Sequence, residues 1–315
     1  MAKSKPIVVV TEPLDERTMQ YLGEHVEVRP ASPETVSGAI AQADGLVVRT
    51  YTQVDAALLS QAPRLKVIGR AGVALDNIDV PAARARGVQV VHTPEANTLA
   101  VVDYTIRMII EMNRRFWPMT KPVSADEFLA MRKNTFGRFI SRLTLGIVGA
   151  GRIGSRVGKA AVGLGMKVLY NDIRPVRLDY PAEAVDKPTL YARSDIVTLH
   201  VPLTELTRNL IDAEALGLFQ PGAQLINAAR GGCMAAADVA AAIRRGRLSA
   251  AAVDCHEPEP PPPEYPLWGL QNVILTPHVA ARVPDALAAM CDVVYDVVAV
   301  LEGRPPKYPA AEGSY

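Results

Sequence analysis

The stretch of residues 145–172, LGIVGAGRIGSRVGKAAVGLGMKVLYND, decides the fold. It begins at Leu145 with a short apolar run of the kind that forms a strand buried on both faces. Three glycines follow at G-x-G-x-x-G spacing, and the residues after them carry apolar side chains at helical spacing. A second apolar run, residues 166–170, leads to Asp172. The order of strand, glycine turn, helix, strand and acid is the context in which this spacing indicates a dinucleotide-binding unit.

Each glycine of the turn has a separate physical role. Gly149 allows the tight turn, Gly151 lets the backbone approach a pyrophosphate, and Gly154 lets the helix pack on the strand. The N-terminus of the helix then presents unpaired N–H groups and a partial positive charge to the phosphates. Asp172 follows at roughly the twenty-residue spacing of a carboxylate that binds ribose hydroxyls. A 2′-phosphate would be repelled there, which favours NAD over NADP, although the nearby Arg174 could meet a phosphate.

Composition and charge are those of an ordinary globular protein. The chain has 315 residues, of which 49% are hydrophobic and 21% charged, and its formal net charge is +1. This length suggests two domains, and the balanced charge gives no indication of nucleic-acid binding. No stretch reaches the roughly 20 apolar residues needed to span a bilayer, and the first apolar run is too short for a signal peptide. The three cysteines fit neither a disulfide framework nor a zinc site, so we expect a reducing cytoplasm and no metal.

Apolar runs alternate with helical patterns in two arrays. The first array, within residues 6–93, predicts a small parallel α/β unit without a phosphate-binding glycine loop. The second lies within residues 145–278. The predicted strands are 7–11, 26–28, 46–49, 66–68 and 88–91 in the first array and, after the glycine unit, 196–201, 224–227, 250–253 and 273–275 in the second. Residues 97–113 are strongly helical by pattern, and residues 116–142 are predicted to form a crossing segment rather than core.

The last helical pattern, residues 285–301, follows an array that is already complete. We therefore predict one long helix that crosses back to the first domain and makes that domain discontinuous. The predicted domains are 1–98 with 285–315, for the substrate, and 99–284, for NAD. Open α/β sheets bind ligands beyond the carboxyl ends of their strands, so both domains should direct those ends at a cleft that holds the active site. The predicted fold class is therefore α/β, with two Rossmann-like parallel-sheet domains.

Polar residues are concentrated in three segments that follow predicted strands of the second array. The segments are 227–232, 254–260 and 276–278, and they contain an arginine, acidic residues and histidines. Arg230 is permanently charged and can bind a carboxylate and a neighbouring carbonyl oxygen together. A histidine beside a carboxylate titrates in the range needed to protonate the alkoxide that hydride transfer to a ketone leaves. Next to a nicotinamide, these groups indicate 2-hydroxy acid chemistry.

Blocks of sequence that occur in a fixed order extend over nearly the whole chain. They are GRAGVALDNID (69–79), VVHTPEANT (90–98), LGIVGAGRIG (145–154), LHVPLTELTRNLI (199–211), LINAARGG (225–232), VDCHEPEP (253–260) and LTPHVA (275–280). In this order the chain resembles the D-isomer-specific 2-hydroxyacid dehydrogenase family, and several ordered blocks are more specific than one. The resemblance implies two Rossmann-like domains, NAD as the cofactor, and a homodimer formed through the nucleotide domain by residues 97–142.

The same resemblance implies roles for individual residues of the second array. Arg230 matches the arginine that holds the substrate, Glu259 matches the acid that pairs with the catalytic histidine, and His278 matches that histidine, the proton donor. Asp254 matches the residue that holds the nicotinamide amide. Other positions that contact or line the cofactor are matched by Gly149, Gly151, Arg152, Ile153, Gly154, Asp172, Val201, Ala228 and Ala229.

Substrate-binding positions are implied in the first array. Val73 and Ala74 match the backbone amides that receive the substrate carboxylate, and the family usually has glycine where this chain has Ala74. Arg49 and Arg70 resemble positions near the phosphate in 3-phosphoglycerate dehydrogenases, whereas Gln53 stands where those enzymes often have lysine. We therefore expect a phosphoglycerate dehydrogenase-like or a glycerate/hydroxypyruvate reductase-like activity on a small 2-oxo or D-2-hydroxy acid.

Three alternatives remain open from the sequence. Glu257 could replace Glu259 as the partner acid, although the spacing within the block favours Glu259. The family usually has an aromatic residue where this chain has His256, so His256 is a rival to His278 as the proton donor. The chain could also be an NAD(H)-sensing binding protein, similar to the corepressor members of the family. The NAD-dependent dehydrogenase is favoured because we expect no basic or disordered extension that would bind a partner.

Overall fold

The computed structural model describes residues 5–311, which form two compact units. One unit contains the chain up to Asn97 together with the part from Ala281 onward, and the other contains Thr98–Ala280. Both are built on parallel sheets. The predicted fold class, with two parallel-sheet α/β units of which the first is built from two separate stretches of the described chain, is confirmed. The predicted division of roles between residues 1–98 with 285–315 and residues 99–284 stays a prediction.

The helices and strands follow one another in the alternating order that the apolar runs predict. In chain order they are β1 (Ile7–Val10), α1 (Glu16–His25), β2 (Glu27–Pro30), α2 (Val36–Ala39), β3 (Gly45–Val48), α3 (Ala56–Ser60), β4 (Val67–Arg70), α4 (Val80–Ala85), β5 (Gln89–His92), α5 (Thr98–Asn113), α6 (Ala125–Asn134), β6 (Thr144–Val148), α7 (Arg152–Gly163), β7 (Lys167–Asn171), β8 (Glu183–Ala184), α8 (Lys187–Arg193), β9 (Ile196–Leu199), α9 (Ala213–Leu218), β10 (Ala223–Asn227), α10 (Ala236–Arg244), β11 (Leu248–Val253), β12 (Val273–Leu275), α11 (Pro284–Cys291) and α12 (Val293–Leu301).

The first unit is a parallel sheet with the strand order β2-β1-β3-β4-β5. Helix α12 belongs to this unit because its valines pack on the sheet. Val293, Val294, Val297 and Val298 are buried, and a Cβ added to Gly69 in β4 would lie 2.4 Å from a methyl carbon of Val297. Glycine at position 69 therefore lets the helix lie directly on the strand.

The prediction of one long helix over residues 285–301 is wrong. The structure has two consecutive helices, α11 and α12, with Asp292 between them. Asp292 keeps helical backbone angles (φ −59°, ψ −12°), and its carboxylate accepts a hydrogen bond from the Arg17 guanidinium at 2.5 Å. Because the apolar periodicity continues across this junction, the sequence pattern could not reveal it.

The second unit is a parallel sheet with the strand order β12-β11-β10-β9-β6-β7-β8. The chain runs outward from β6 to β8 and then from β9 to β12 on the other side, so the strand order reverses between β6 and β9. Ligands of open α/β sheets bind beyond the carboxyl ends of the strands at such a point. The loops after these two strands touch there, because a Cβ added to Gly149 would lie 2.6 Å from the carbonyl oxygen of His200.

The segment between α5 and β6 lies outside the core, as predicted. Helix α5 has buried residues along one face, whereas α6 has none. The start of α6 is stabilised locally, because the hydroxyl of Ser124 accepts the N–H of Glu127 and the Glu127 carboxylate accepts the N–H of Ser124. Helix α6 therefore depends on its own cap rather than on apolar burial.

Three findings bear on the class of protein. Within residues 5–311, no helix combines the length and the apolar character needed to cross a membrane. In the same part of the chain, no group of three or more His, Cys, Asp and Glu side chains is arranged to hold a metal ion. Cys233, Cys255 and Cys291 are buried free thiols.

Candidate active site

The glycine turn after β6 leads directly into α7. Gly149 has a φ of +92°, in the left-handed region that residues with a Cβ rarely adopt. Gly151 is the N-cap of α7, and no side chain caps this end of the helix. A Cβ added to Gly151 would meet no atom within 4 Å. Space is therefore open beside uncapped N–H groups, and the residues present fit the pyrophosphate of a dinucleotide.

Asp172 lies at the end of β7 and contacts the same turn. Its Oδ2 accepts the N–H of Ala150 at 2.8 Å, and its Oδ1 accepts the N–H of Arg174 at 2.9 Å. Each carboxylate oxygen has a further lone pair, so Asp172 can still accept hydrogen bonds from ribose hydroxyls. The structure therefore brings the predicted ribose-binding acid next to the predicted phosphate-binding turn.

The other residues predicted to line the cofactor lie at the same edge of the sheet. Arg152 and Ile153 begin α7, Val201 follows β9, and Ala228 and Ala229 follow β10. The carboxyl ends of these parallel strands meet at one edge, beside the point where the strand order reverses. The predicted cofactor-binding residues are thus grouped by the topology, and their individual contacts stay predictions.

A buried carboxylate shapes the turn after β12. Asp254 is 0% exposed. It accepts the hydroxyl of Thr276 at 2.6 Å and the N–H groups of Val279 and Ala280 at 2.8 Å each. Its carbonyl oxygen accepts the N–H of His278 at 2.9 Å. These bonds hold a turn in which His278 has a φ of +52°, a conformation uncommon for any residue with a Cβ.

His278 is paired with Glu259 and not with Glu257. The Nδ1 atom of His278 lies 2.8 Å from Oε1 and 3.1 Å from Oε2 of Glu259. Glu257 instead accepts hydrogen bonds from the guanidinium of Arg208 at 3.0 Å and 3.1 Å. An ionised carboxylate can only accept, so Nδ1 of His278 carries a proton and Nε2 is the nitrogen left for proton exchange.

Two other groups near this edge of the sheet are kept uncharged by burial. Burial lowers the pKa of His200 to about 4, and its Nε2 lies 3.0 Å from the hydroxyl of Thr198. Burial likewise raises the pKa of the Cys255 thiol far above its usual value, with a smaller contribution from the charge of Asp254. Neither group is suited to exchanging protons at neutral pH.

Arg230 follows β10 in a loop that packs closely on the loop after β11. The side-chain amide of Asn227 donates to the carbonyl oxygen of Arg230 at 2.9 Å, and Nη1 of Arg230 donates to the carbonyl oxygen of Ala229 at 2.6 Å. A Cβ added to Gly231 would lie 2.1 Å from the carbonyl carbon of His256. Only glycine at position 231 lets the loop that carries Arg230 lie against the segment that leads to Glu259.

The predicted substrate-binding residues of the first unit follow β3 and β4. Arg49 comes directly after β3, Arg70 is the last residue of β4, and Val73 and Ala74 follow it. The carbonyl oxygen of Val73 lies 2.7 Å from Nδ1 of His92, and because a carbonyl can only accept, this nitrogen carries the proton. The C=O and N–H of one planar peptide point in opposite directions. His92 therefore fixes the direction of the Ala74 N–H.

Glu12 organises the loop after β3, although no sequence pattern singled it out. Its carboxylate accepts the N–H groups of Arg49 and Thr50 at 2.9 Å each, of Tyr51 at 3.2 Å and of Thr52 at 3.3 Å. Burial by itself raises the pKa of Glu12, but these N–H groups together hold it below the ordinary value. The only feature of the sequence that could have indicated Glu12 is its place directly after the predicted apolar strand 7–11.

The second unit, with a glycine turn that fits a dinucleotide after its first parallel strand, is a nucleotide-binding unit. The family model for the D-isomer specific 2-hydroxyacid dehydrogenase, NAD binding domain, matches residues 106–280. The chain therefore belongs to the D-isomer specific 2-hydroxyacid dehydrogenase family, and the matched residues form its NAD-binding domain.

Relatives of known name cover nearly the whole chain. A D-3-phosphoglycerate dehydrogenase from Archaeoglobus fulgidus is 37% identical over 306 residues, which are 95% of this chain and 58% of that protein. A hydroxypyruvate reductase from Thermotoga maritima is 36% identical over 285 residues, which are 89% of this chain and 92% of that protein. The chain thus spans a little over half the length of the phosphoglycerate dehydrogenase that it matches. The crystal structure of the TT0316 protein from Thermus thermophilus matches with a TM-score of 0.86 at 33% identity, over 97% of this chain and 100% of that one.

Proposed function

We propose that this chain catalyses hydride transfer between NAD and C2 of a small D-2-hydroxy acid and its 2-oxo acid. The observation that carries the proposal is the contact of His278 Nδ1 with the Glu259 carboxylate at 2.8 Å, in a unit whose glycine turn fits a dinucleotide. Family membership supports the same reaction. The relatives are named as enzymes, which disfavours the alternative of an NAD(H)-sensing binding protein.

The chain's own groups account for the steps other than hydride transfer. When bound, the cofactor would supply the hydride from the nicotinamide ring as NADH, or would take it up as NAD⁺. His278 would protonate the oxygen on C2 from Nε2 during reduction and would remove that proton during oxidation. Glu259 orients the ring by holding the proton on Nδ1. Arg230 supplies a permanently charged group for the substrate carboxylate and the oxygen beside it.

We assign the residues around the glycine turn to the cofactor. Gly149, Gly151 and Gly154 would let the first N–H groups of α7 reach the phosphates. Asp172 would accept the ribose hydroxyls and repel a 2′-phosphate, which gives the preference for NAD. Asp254 would accept a hydrogen bond from the N–H group of the nicotinamide amide. The remaining lining positions are Arg152, Ile153, Val201, Ala228 and Ala229.

We propose a substrate of the phosphoglycerate or the glycerate/hydroxypyruvate type, as in the names of the two relatives. The N–H groups of Val73 and Ala74 would bind its carboxylate, and the peptide between them is already oriented by His92. Arg49 and Arg70 lie at the ends of neighbouring strands and would bind the substituent on C3. In this assignment residues 1–98 with 285–315 bind the substrate, and residues 99–284 bind NAD.

We further propose a homodimer that forms through residues 97–142. Support comes from large apolar side chains that are exposed within this segment, namely Leu99, Ile110, Phe116, Trp117, Met119, Phe128, Leu129, Met131, Phe136 and Phe139. Exposed apolar surface of this extent is typical of a protein–protein interface. Sedimentation equilibrium tests the homodimer, and a monomer at micromolar concentration would refute it.

We also propose that the protein works in a reducing cytoplasm, because its three cysteines are free thiols.

The activity is tested by following NADH oxidation with hydroxypyruvate, glyoxylate and phosphohydroxypyruvate in parallel. We expect turnover with at least one of these acids, and a lower kcat/KM with NADPH than with NADH. Calorimetric titration with NADH provides the second measurement. Tight NADH binding without turnover on any of the three acids would refute the proposed activity and would favour a binding protein instead.

A further inference from the structure

A second histidine is buried beneath the turn that carries His278. His256 is 7% exposed, and its ring packs edge-to-face on Tyr265 with centroids 5.4 Å apart. Its Nε2 lies 2.9 Å from the carbonyl oxygen of Thr276. The proposed reaction gives this side chain no role.

The contacts of His256 determine its tautomer and exclude it as the proton donor. A carbonyl oxygen can only accept, so Nε2 of His256 is the protonated nitrogen. The other nitrogen, Nδ1, is buried and has no hydrogen-bond partner in the described part of the chain. With one nitrogen bonded to the backbone and the other enclosed, neither is presented to a substrate. His256 therefore cannot replace His278 in the proposed reaction.

Thr276, which His256 contacts, is held at both of its polar groups. Its hydroxyl donates to the Asp254 carboxylate at 2.6 Å, so the hydroxyl of Tyr104, 2.6 Å away, must donate to Thr276. Its carbonyl oxygen accepts one hydrogen bond from Nε2–H of His256 at 2.9 Å and another from the backbone N–H of His278 at 3.0 Å. A carbonyl has two lone pairs, and both are used here. One carbonyl oxygen thus links the buried ring to the backbone of His278.

The hydrogen bonds to the Thr276 carbonyl matter because His278 has an unusual backbone conformation. His278 has a φ of +52°, which is sparsely populated for a residue with a Cβ and persists only when its surroundings hold it. Pro277 restricts Thr276 to extended angles and fixes its own φ, but it has no N–H with which to hold the turn. The bonds to the Thr276 carbonyl and to Asp254 are what remain to fix the direction of the His278 ring toward Glu259.

We propose that His256 is a positioning residue for His278. It holds the Thr276 carbonyl through Nε2–H, and this bond keeps His278 in the backbone conformation that pairs its ring with Glu259. The inference rests on the proposed function, in which His278 moves the proton. His256 therefore contributes to the rate of the chemical step. It leaves the proposed phosphate-binding part of the cofactor site unchanged, since the glycine turn follows a different strand, β6.

Two substitutions at position 256 separate the hydrogen bond from the packing. His256→Phe keeps an aromatic ring against Tyr265 but has no donor for Thr276. His256→Gln has an amide N–H that can reach about the place of Nε2. We expect His256→Phe to lower kcat about tenfold, which corresponds to about 1.4 kcal/mol in the barrier and is the effect of one hydrogen bond. We expect His256→Gln to stay within about threefold of the wild type, and the Kd for NADH to change less than about twofold in both.

His25→Gln is the matched control, because the Nδ1 of His25 also lies at hydrogen-bond distance, 2.9 Å, from a backbone carbonyl, that of Tyr21 in α1. It should leave kcat unchanged. If the wild type turns over substrate and His256→Phe retains full kcat, the positioning role is overturned. It is also overturned if His256→Gln is as slow as His256→Phe, because the donor then makes no difference.

Nuclear magnetic resonance tests the same inference without any turnover. The chain has five histidines, so each ring can be assigned in long-range proton–nitrogen spectra. We expect His256 to show the Nε2–H tautomer, and the His278 ring signals to move in His256→Phe but not in His256→Gln. The opposite tautomer, or unmoved His278 signals in His256→Phe, would overturn the inference. Because these spectra need no substrate, they decide it even if the wild type is inactive and the proposed function fails.

Discussion

Gly154 offers the sharpest test of the assigned cofactor site. A Cβ added to this residue, in the first turn of α7, would lie 2.0 Å from the carbonyl oxygen of Gly149 and 3.0 Å from a methyl carbon of Ile147. An ordinary contact needs about 3.4 Å, so the start of α7 would have to move about 1.4 Å from the loop. The nearest obstacle is a backbone atom and not a flexible side chain, so this displacement cannot be avoided by a rotamer change.

The size of the effect of Gly154→Ala follows from that displacement. Overpacking of this kind destabilises a protein by about 1–3 kcal/mol. A hydrogen bond of about 2.9 Å lengthened by about 1.4 Å is no longer a hydrogen bond. Losing two such bonds from α7 to a phosphate, at about 1.5 kcal/mol or more each, corresponds to about a hundredfold or greater increase in the Kd for NADH.

The control lies on the same helix. Gly163 is the last residue of α7, and a Cβ added to it would meet nothing within 4 Å. Gly163→Ala should therefore leave NADH binding unchanged and raise the free energy of unfolding by about 0.5 kcal/mol through helix propensity. Calorimetric titration with NADH and chemical denaturation measure both variants. Wild-type NADH affinity in Gly154→Ala would refute the assignment of α7 to the cofactor phosphates.

Four further substitutions test the other assignments. Asp172→Ser should narrow the preference for NADH over NADPH in kcat/KM, and an unchanged preference would remove Asp172 from the ribose. His278→Ala should lower kcat about 10²–10⁴-fold and leave the Kd for NADH unchanged. A decrease in kcat of less than about 10²-fold would assign the proton transfer to another residue. Burial lowers the pKa of His200 from 6.5 to about 4. As the pH falls, the imidazole therefore becomes protonated in the unfolded chain at a higher pH than in the folded protein. The free energy of unfolding should fall by up to about 3 kcal/mol between pH 6.5 and pH 4. His200→Asn should remove that part of the dependence in denaturation curves, and a slope equal to that of the wild type would contradict the burial of its ring. Glu12→Gln should lower the free energy of unfolding by about 1–3 kcal/mol at pH 7, because an amide N–H then faces backbone N–H donors. The KM of this variant for the oxo acid should rise, while its Kd for NADH stays constant. An unchanged KM would show that the loop after β3 does not bind the substrate.

The parts of the fold that depend on local pattern could be predicted from the sequence. The glycine turn is recognisable because the roles of Gly149, Gly151 and Gly154 depend only on the local backbone. The strands before and after it are continuous apolar runs. The two arrays were predicted for the same reason. The junction at Asp292 was not, because residues on both sides continue one apolar helical stripe and the residue between them keeps helical angles.

For the candidate site, the resemblance to the family supplied the assignments that the residues alone left open. From the residues alone, Glu257 and Glu259 were both candidates for the partner of His278. The choice between them depends on Arg208, which binds Glu257 from a loop that no local pattern connects to it. Glu12 is a similar case, since its N–H partners begin at Arg49, in a different βα unit. Contacts between distant segments decide such roles, and they become visible only once the sheet has brought strand ends together.

Asp254 shows how one residue can serve both the fold and the proposed chemistry. A carboxylate offers about four acceptor sites, and Asp254 uses three of them, two on Oδ1 for Thr276 and Val279 and one on Oδ2 for Ala280. One site on Oδ2 is left over, but Asp254 is 0% exposed, so a nicotinamide N–H would reach it only if the segment that covers the carboxylate moves, while the turn keeps its three bonds. In the proposed function, the side chain that holds the His278 turn would also align the cofactor, and this would link the position of the proposed proton donor to the position of the nicotinamide ring.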